Sequence, residues 1–219
     1  MLRKKLPAAV LFDLDGTLID SEPYWMHAER SLAEEHNSSW TEADGAKLIG
    51  MNLYDSSKLI KDHIGSDLHH EEIIDKLTQS VNENLARQIP WRPGAEALLR
   101  ELKRRKVKTA LVTMSMRRTA LQVVEAIDFK AFDVVVAGDD VVHGKPHAEP
   151  YLKAASLLGV DPAQCVAFED SIPGILSAEA AGTVAIGIPN LMIIPSNETR
   201  ILWPTLEGVT YKTLTKLFK

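Results

Sequence analysis

A chain of 219 residues, 45% apolar and 25% charged, has the make-up of an ordinary globular protein of roughly one to two domains rather than a fibrous or disordered polymer. Its formal net charge of −5 argues against nucleic acid as a partner, since that affinity comes from lysines and arginines neutralising phosphates. The single cysteine, Cys165, excludes an internal disulfide, sits in an apolar run as a small core residue and fits a reducing, cytoplasmic setting.

Arg3, Lys4 and Lys5 ahead of apolar residues imitate a signal peptide, but Pro7 interrupts the run and Asp13 ends it far short of a membrane span. No later segment is long enough to span either, so no membrane partner is expected. Residues 8–14 read as a buried parallel strand, because the run is short, continuous and compatible with burial on both faces. Residues 21–89 then contain no convincing strand. Pro23 starts a helix that runs through Arg30 to Glu35, and Ile74, Leu77, Val81, Leu85 and Ile89 recur at the spacing of an amphipathic helix. Beyond it, helical patterns at 95–106, 117–128, 149–158 and 173–181 alternate with strands at 107–113, 133–137, 165–169 and 183–188. Gly159 and Gly182 follow two of these helices as terminators. Such alternation implies an α/β fold with a doubly wound parallel sheet. The expected division is a core of 1–20 and 91–219 with an all-helical insertion, 21–90, hung on tethers at 20–23 and 90–93. An insertion on two adjacent tethers can close over the strand ends as a lid.

Four groups of chemically capable residues fall just past a strand or in the loop after one. Asp13-Leu14-Asp15-Gly16-Thr17 follows the first strand, and a period of two sends Asp13 and Asp15 to one side. One carboxylate can attack a phosphoryl group while the other moves protons, Gly16 permits a sharp turn and Thr17 can cap or donate. The plainer alternative is an exposed Asp-Gly turn. Glu169-Asp170-Ser171 ends the strand at 165–169, and acids packed against Asp13 and Asp15 would repel unless a divalent cation joined them. Hard oxygen ligands favour Mg²⁺. Asp170 or Ser171 can equally cap a helix begun by Pro173. In Gly144-Lys145-Pro146 a fixed ammonium could offset phosphoryl charge, or be a solvated loop lysine. In Thr113-Met114-Ser115 a hydroxyl could bond a phosphoryl oxygen or cap the helix near Arg117. His143 with His147, and His69 with His70, read as solvated or satisfied, the basic stretch 103–106 as a helix end, and Trp25, Trp40 and Trp91 as packing residues, with Trp25 open to a pocket role.

These residues, in this order, resemble the haloacid dehalogenase superfamily of phosphatases over nearly the whole chain. Asp13–Thr17 looks like its first motif, Thr113 its second, Lys145 its third and Glu169-Asp170 its fourth. The run from Gly144-Lys145-Pro146 through Glu149-Pro150-Tyr151 and Phe168-Glu169-Asp170-Ser171 to Gly174-Ile175, Ala178 and Ala181-Gly182 is similar to the subgroup with a helical cap, which includes β-phosphoglucomutase and phosphoglycolate phosphatase. The resemblance implies a strand order of 5-4-1-2-3. It implies Asp13 as nucleophile, Asp15 as general acid and base, and Thr113 and Lys145 as holders of the transferring phosphoryl. It also implies Mg²⁺ on Asp13, the carbonyl of Asp15 and Asp170, with Glu169 direct or through water. Gly16 and Ser115 would line the phosphate site. Specificity would sit near Glu22, Trp25 and Asn52 and on the loop 115–118, where Arg117 grips a distal anion or is a surface arginine.

Two departures bear on the reaction. The mutases carry a histidine where this chain has Trp25, and an arginine shortly after the cap glycine, where Gly50 is here followed by Met51-Asn52-Leu53. Hydrolysis is therefore expected over mutase chemistry, and Asp15 argues against the dehalogenases, whose nucleophile lacks an acid two residues on. The run Asp20-Ser21-Glu22-Pro23 with Trp25 looks like the 2-deoxyglucose-6-phosphate and hexitol phosphatases. The expected protein is a Mg²⁺-dependent hydrolase of a small phosphorylated metabolite, a sugar or polyol phosphate, acting as a monomer or weak dimer. The rivals are a phosphosugar mutase, a phospho-acceptor switch and a non-catalytic binding relative.

Overall fold

Apolar runs bounded by turn residues give β1 (Ala9–Phe12), β2 (Lys108–Val112), β3 (Val134–Val136), β4 (Cys165–Glu169), β5 (Val184–Gly187) and β6 (Ile201–Leu202). They form one parallel sheet in the order β3-β2-β1-β4-β5-β6. The computed structural model describes residues 7–49, 51–198 and 200–218, so Arg3, Lys4, Lys5 and Gly50 lie outside the described residues. The expected α/β sheet is present, with β6 added beyond β5. Two residues are too few to leave a periodic signal, so the sequence does not announce this strand.

Alternation along the strands divides the core. Val10, Phe12, Val166 and Phe168 face α5 (Ala95–Arg104), α6 (Arg117–Ala126) and α9 (Tyr211–Thr215), while Ala9, Leu11 and Ala167 face α7 (Glu149–Leu158) and α8 (Ile172–Ala180). Phe12 is in register with Leu111 on one side and Phe168 on the other. The chain therefore leaves three adjacent strands at one level, immediately before Asp13, Thr113 and Glu169-Asp170.

Between β1 and α5 stand α1 (Glu22–Glu35), α2 (Glu42–Gly45), α3 (Leu53–Ile64) and α4 (His70–Arg87). The sequence signals α1 and α4. The buried face of α4 runs Ile73, Leu77, Val81 and Leu85, an unbroken i,i+4 row, so Ile73 rather than its neighbour Ile74 begins the stripe and Ile89 lies past the helix. The outgoing and returning chains are bonded together: Asp20 N–H donates to Pro90 O at 2.8 Å and Arg92 N–H to Leu18 O at 2.8 Å. Among the described residues no helix is long and apolar enough to cross a membrane.

Candidate active site

Asp13 is set by the end of β1, where its N–H still donates to Phe168 O across β4 at 3.1 Å. Lys145 reaches it from the loop after β3. Its ammonium lies 2.6 Å from Asp13 Oδ1 and 2.6 Å from Glu169 Oε1, and donates to Val112 O at 2.9 Å. Burial alone would lower the Lys145 pKa, but Asp13 and Glu169 outweigh it and hold the ammonium above the ordinary lysine value. Glu169 Oε1 also accepts from the buried Tyr151 hydroxyl at 2.5 Å. Sequence reasoning assigns Tyr151 no role; its signal is its place in Glu149-Pro150-Tyr151, part of the run that carries the resemblance.

Asp13, Glu169 and Asp170 are buried, and one oxygen from each lies within 4.8 Å of the others. Burial pushes the Asp13 carboxyl up to about 7, against the pull of Lys145 and with the push of Glu169 and Asp15. Burial and the charges of Asp13 and Glu169 likewise raise Asp170 well above the ordinary carboxylate range. Asp13 Oδ2 and Glu169 Oε2 are buried with no hydrogen-bond partner among the described residues. An acceptor oxygen left orphaned among like charges is costly unless a cation completes it. This donor set, all hard oxygen, fits Mg²⁺. Gly16, at φ +80°, passes so close that a Cβ there would overlap Asp170 Oδ2.

Asp15 is held differently. Oδ1 accepts from the Ser21 hydroxyl at 2.5 Å and Trp25 Nε1 at 3.3 Å; Oδ2 accepts from the Ser115 hydroxyl at 2.6 Å and Thr113 Oγ1 at 3.3 Å. Its carboxylate is thus fixed by donors and stands apart from the three-acid group. Thr17 is buried in the turn and its hydroxyl has no partner among the described residues. Ser171 accepts from Gly174 N–H at 3.2 Å, so the helix-cap reading of that motif holds beside the acidic one.

A cavity opens over these residues, and Asp13, Asp15, Glu22, Trp25, Thr113, Ser115, Lys145 and Asp170 all line it. Three expected binding residues do not: Gly16, which packs against Asp170 in the turn, and Arg117 and Asn52, whose side chains are held elsewhere. Arg117 pairs with Asp140 at 2.6 Å and donates to Val135 O at 3.2 Å, so it is the surface arginine of the two readings, its guanidinium spent on these partners. Asn52 caps α3, accepting from Asp55 N–H at 2.9 Å and donating to the Asp55 carboxylate at 2.7 Å. In both cases a nearby acid captures the side chain. Glu29 on α1 is the ionisable lining residue that sequence reasoning missed.

Comparison with known proteins agrees with this geometry. The family described as haloacid dehalogenase-like hydrolase matches residues 7–182. Phosphorylated carbohydrates phosphatase of Thermotoga maritima is 32% identical over 80% of this chain and 81% of its own. Validoxylamine A 7'-phosphate phosphatase of Streptomyces hygroscopicus subsp. limoneus is 34% identical over 81% of this chain and 84% of its own. The crystal structure of CbbY from Rhodobacter sphaeroides in complex with phosphate superposes with a TM-score of 0.85, at 25% identity, covering 96% of this chain and 99% of that one. With the family matched across most of the chain and two phosphatases among its relatives, the chain belongs to the haloacid dehalogenase-like hydrolases and is a phosphatase of that family.

Proposed function

We propose that the protein hydrolyses a small sugar or polyol phosphate through a phospho-aspartate on Asp13, with Mg²⁺ in the acidic group. One observation carries the reading: Asp13 is buried with Oδ1 on Lys145, its Oδ2 has no hydrogen-bond partner among the described residues, and it clusters with Asp170 and Glu169. Asp13, Asp170 and the main-chain carbonyl of Asp15, with Glu169 direct or through water, would hold the Mg²⁺, which when bound offsets charge on the acids and on the phosphoryl oxygens.

Asp13 attacks phosphorus and the ester oxygen departs in line. Asp15, held by Ser21, Trp25, Thr113 and Ser115, gives that oxygen its proton. Asp15 then takes a proton from the water that attacks the phosphorus of the acyl phosphate, which releases phosphate and restores Asp13. Lys145 and Thr113 stabilise the phosphoryl in both displacements. An acid two residues from the nucleophile, fixed by four donors, favours turnover over a long-lived phospho-acceptor switch. The helices at 21–90 act as a cap on a core of 1–20 and 91–219, and α1 supplies Glu22 and Trp25 to the cavity.

Hydrolysis is favoured over a mutase because Lys145 is the sole basic residue among the described residues lining the cavity, which leaves a second phosphate without a cap partner. The relatives named for phosphorylated carbohydrates and hexitols support the substrate class. The test is a panel of sugar, polyol and glycolyl phosphates with Mg²⁺ or EDTA, on wild type and Asp13→Asn. Free phosphate that needs Asp13 and Mg²⁺ supports the reading; isomerised sugar phosphate, or wild-type turnover by Asp13→Asn, rejects it.

A further inference from the structure

In the reaction just described two ionisable residues lining the cavity, Glu22 and Glu29, move no proton and hold no phosphoryl oxygen. Glu22, Trp25, Met26 and Glu29 lie three, four and seven residues apart on α1, so they share one face, and all four line the cavity. Trp25 marks the reacting end, since its Nε1 donates to Asp15 Oδ1 at 3.3 Å. Glu29 stands one helical turn further along, about 6 Å by the helix rise. It is buried, at 6% exposure, where a bare carboxyl is costly. Among the described residues its hydrogen-bond partner is Trp40, whose Nε1 donates to Oε2 at 2.9 Å. Oε1 thus keeps its capacity to bond a guest. The helices at 21–90 give the same cavity Leu48, Ile60 and Leu77 and the hydroxyl of Ser56, and Gly45 runs so close that a Cβ there would lie 3.0 Å from Glu29 Oε2.

We infer that Glu29 is a specificity-determining residue that bonds a leaving-group hydroxyl several carbons from the phosphate and repels a second anionic group. The inference rests on the phosphatase reading and deepens it. The helix rise matches the span of a pentitol or hexitol chain, so short leaving groups fall out of its reach. Lys145 sits at the phosphate end, and Glu29 and Glu22 are the ionisable groups that α1 offers to the rest of the cavity. A distal phosphate or carboxylate would meet these acids, whereas a hydroxyl can donate to them. Burial raises both carboxyls, Glu29 to about 7 with Trp40 opposing and Glu22 to about 8 with the nearby acids adding to it, so each can donate to a hydroxyl below these values and repels an anion above them, and the binding test is made above pH 8.

Binding decides the matter without needing turnover. A hexitol 6-phosphate, phenyl phosphate and a hexose bisphosphate are titrated by calorimetry into Asp13→Asn with Mg²⁺, alone and combined with Glu29→Leu or Glu29→Gln. Glu29→Leu is expected to weaken the hexitol phosphate relative to phenyl phosphate by about tenfold or more, the worth of a hydrogen bond to a charged group. Glu29→Gln keeps an acceptor for Trp40; it is expected to lose less of that preference while binding the bisphosphate relatively better. Parallel changes for all three ligands would reduce Glu29 to a packing partner of Trp40 and overturn the inference. If Glu29→Leu does not fold, the bisphosphate arm of Glu29→Gln decides by itself. These ratios in a wild type that turns over no phosphomonoester would reject the hydrolase reading alone, and an Asp13→Asn protein that binds none of the ligands would reject both.

Discussion

The ammonium of Lys145 lies 2.6 Å from Asp13 Oδ1, with 4% and 9% of the two side chains exposed. Removing one partner of a buried pair costs far more than the pair is worth, because the other charge is stranded. Lys145→Met strands Asp13 and Glu169 together. We expect it to lower stability by roughly 3–5 kcal/mol and kcat by roughly 10²–10³-fold. Urea denaturation and steady-state kinetics on a sugar phosphate measure the two effects. A stable, fully active Lys145→Met protein would show that the ammonium neither holds the phosphoryl nor balances the acids.

Cation binding to the three-acid group should appear as stability. A ligand held by the native state at a hundred times its Kd adds about 2.7 kcal/mol. Thermal unfolding of the wild type is expected to move upward with Mg²⁺ and return with EDTA, along with turnover. Asp170→Ala removes one of the three clustered carboxylates and is expected to lose most of that shift. An equal Mg²⁺ response in this variant would place the ion elsewhere.

Glu29 supplies a pH signature. Its carboxyl is pushed from 4.5 up to about 7 by burial, against the hydrogen bond from Trp40. The native state then binds more protons than the unfolded chain between those values, so this contribution is full below about 4.5 and is lost as pH rises through about 7. The lost term is on the order of 3 kcal/mol. Glu29→Gln carries no such titration, so its stability relative to wild type should improve from pH 5 to pH 8. Guanidinium denaturation of both proteins at the two pH values checks the sign; a difference that does not move with pH refutes it.

Gly16 offers a backbone test. At φ +80° an L side chain is strained, and a Cβ there would overlap Asp170 Oδ2. Gly16→Ala is expected to lose about 1–3 kcal/mol of stability and to displace Asp170. Its Mg²⁺-dependent rise in melting temperature should shrink with its activity. Retention of both would mean that the turn relaxes without disturbing the acids.

The chemical frame of this site is legible in the sequence because strand ends are legible. Asp13, Thr113, Lys145 and Asp170 each follow an apolar run or lie in the loop after one, and a parallel sheet brings those positions to one edge. The distal wall is not legible, because it depends on which face of α1 turns inward. Glu22, Trp25, Met26 and Glu29 do form an i, i+3, i+4, i+7 set, but charged residues in such a set ordinarily mark a solvated face. Arg117 and Asn52 mislead for the opposite reason. Their positions after a strand and before a helix are suggestive, and only the folded chain shows that Asp140 and Asp55 are their partners. β6 and α2 are too short for periodicity to register.

Where the helical segment departs and returns, Asp20 is bonded to Pro90 and Arg92 to Leu18, as one small ladder. Among the described residues every sheet pairing lies outside that ladder's loop. The segment can therefore lengthen, shorten or be exchanged for another without any strand changing neighbour. Substrate choice can drift in evolution, or be replaced by grafting, while Asp13, Lys145, Glu169 and Asp170 stay in place, provided the new segment restores the donors that Ser21 and Trp25 give Asp15.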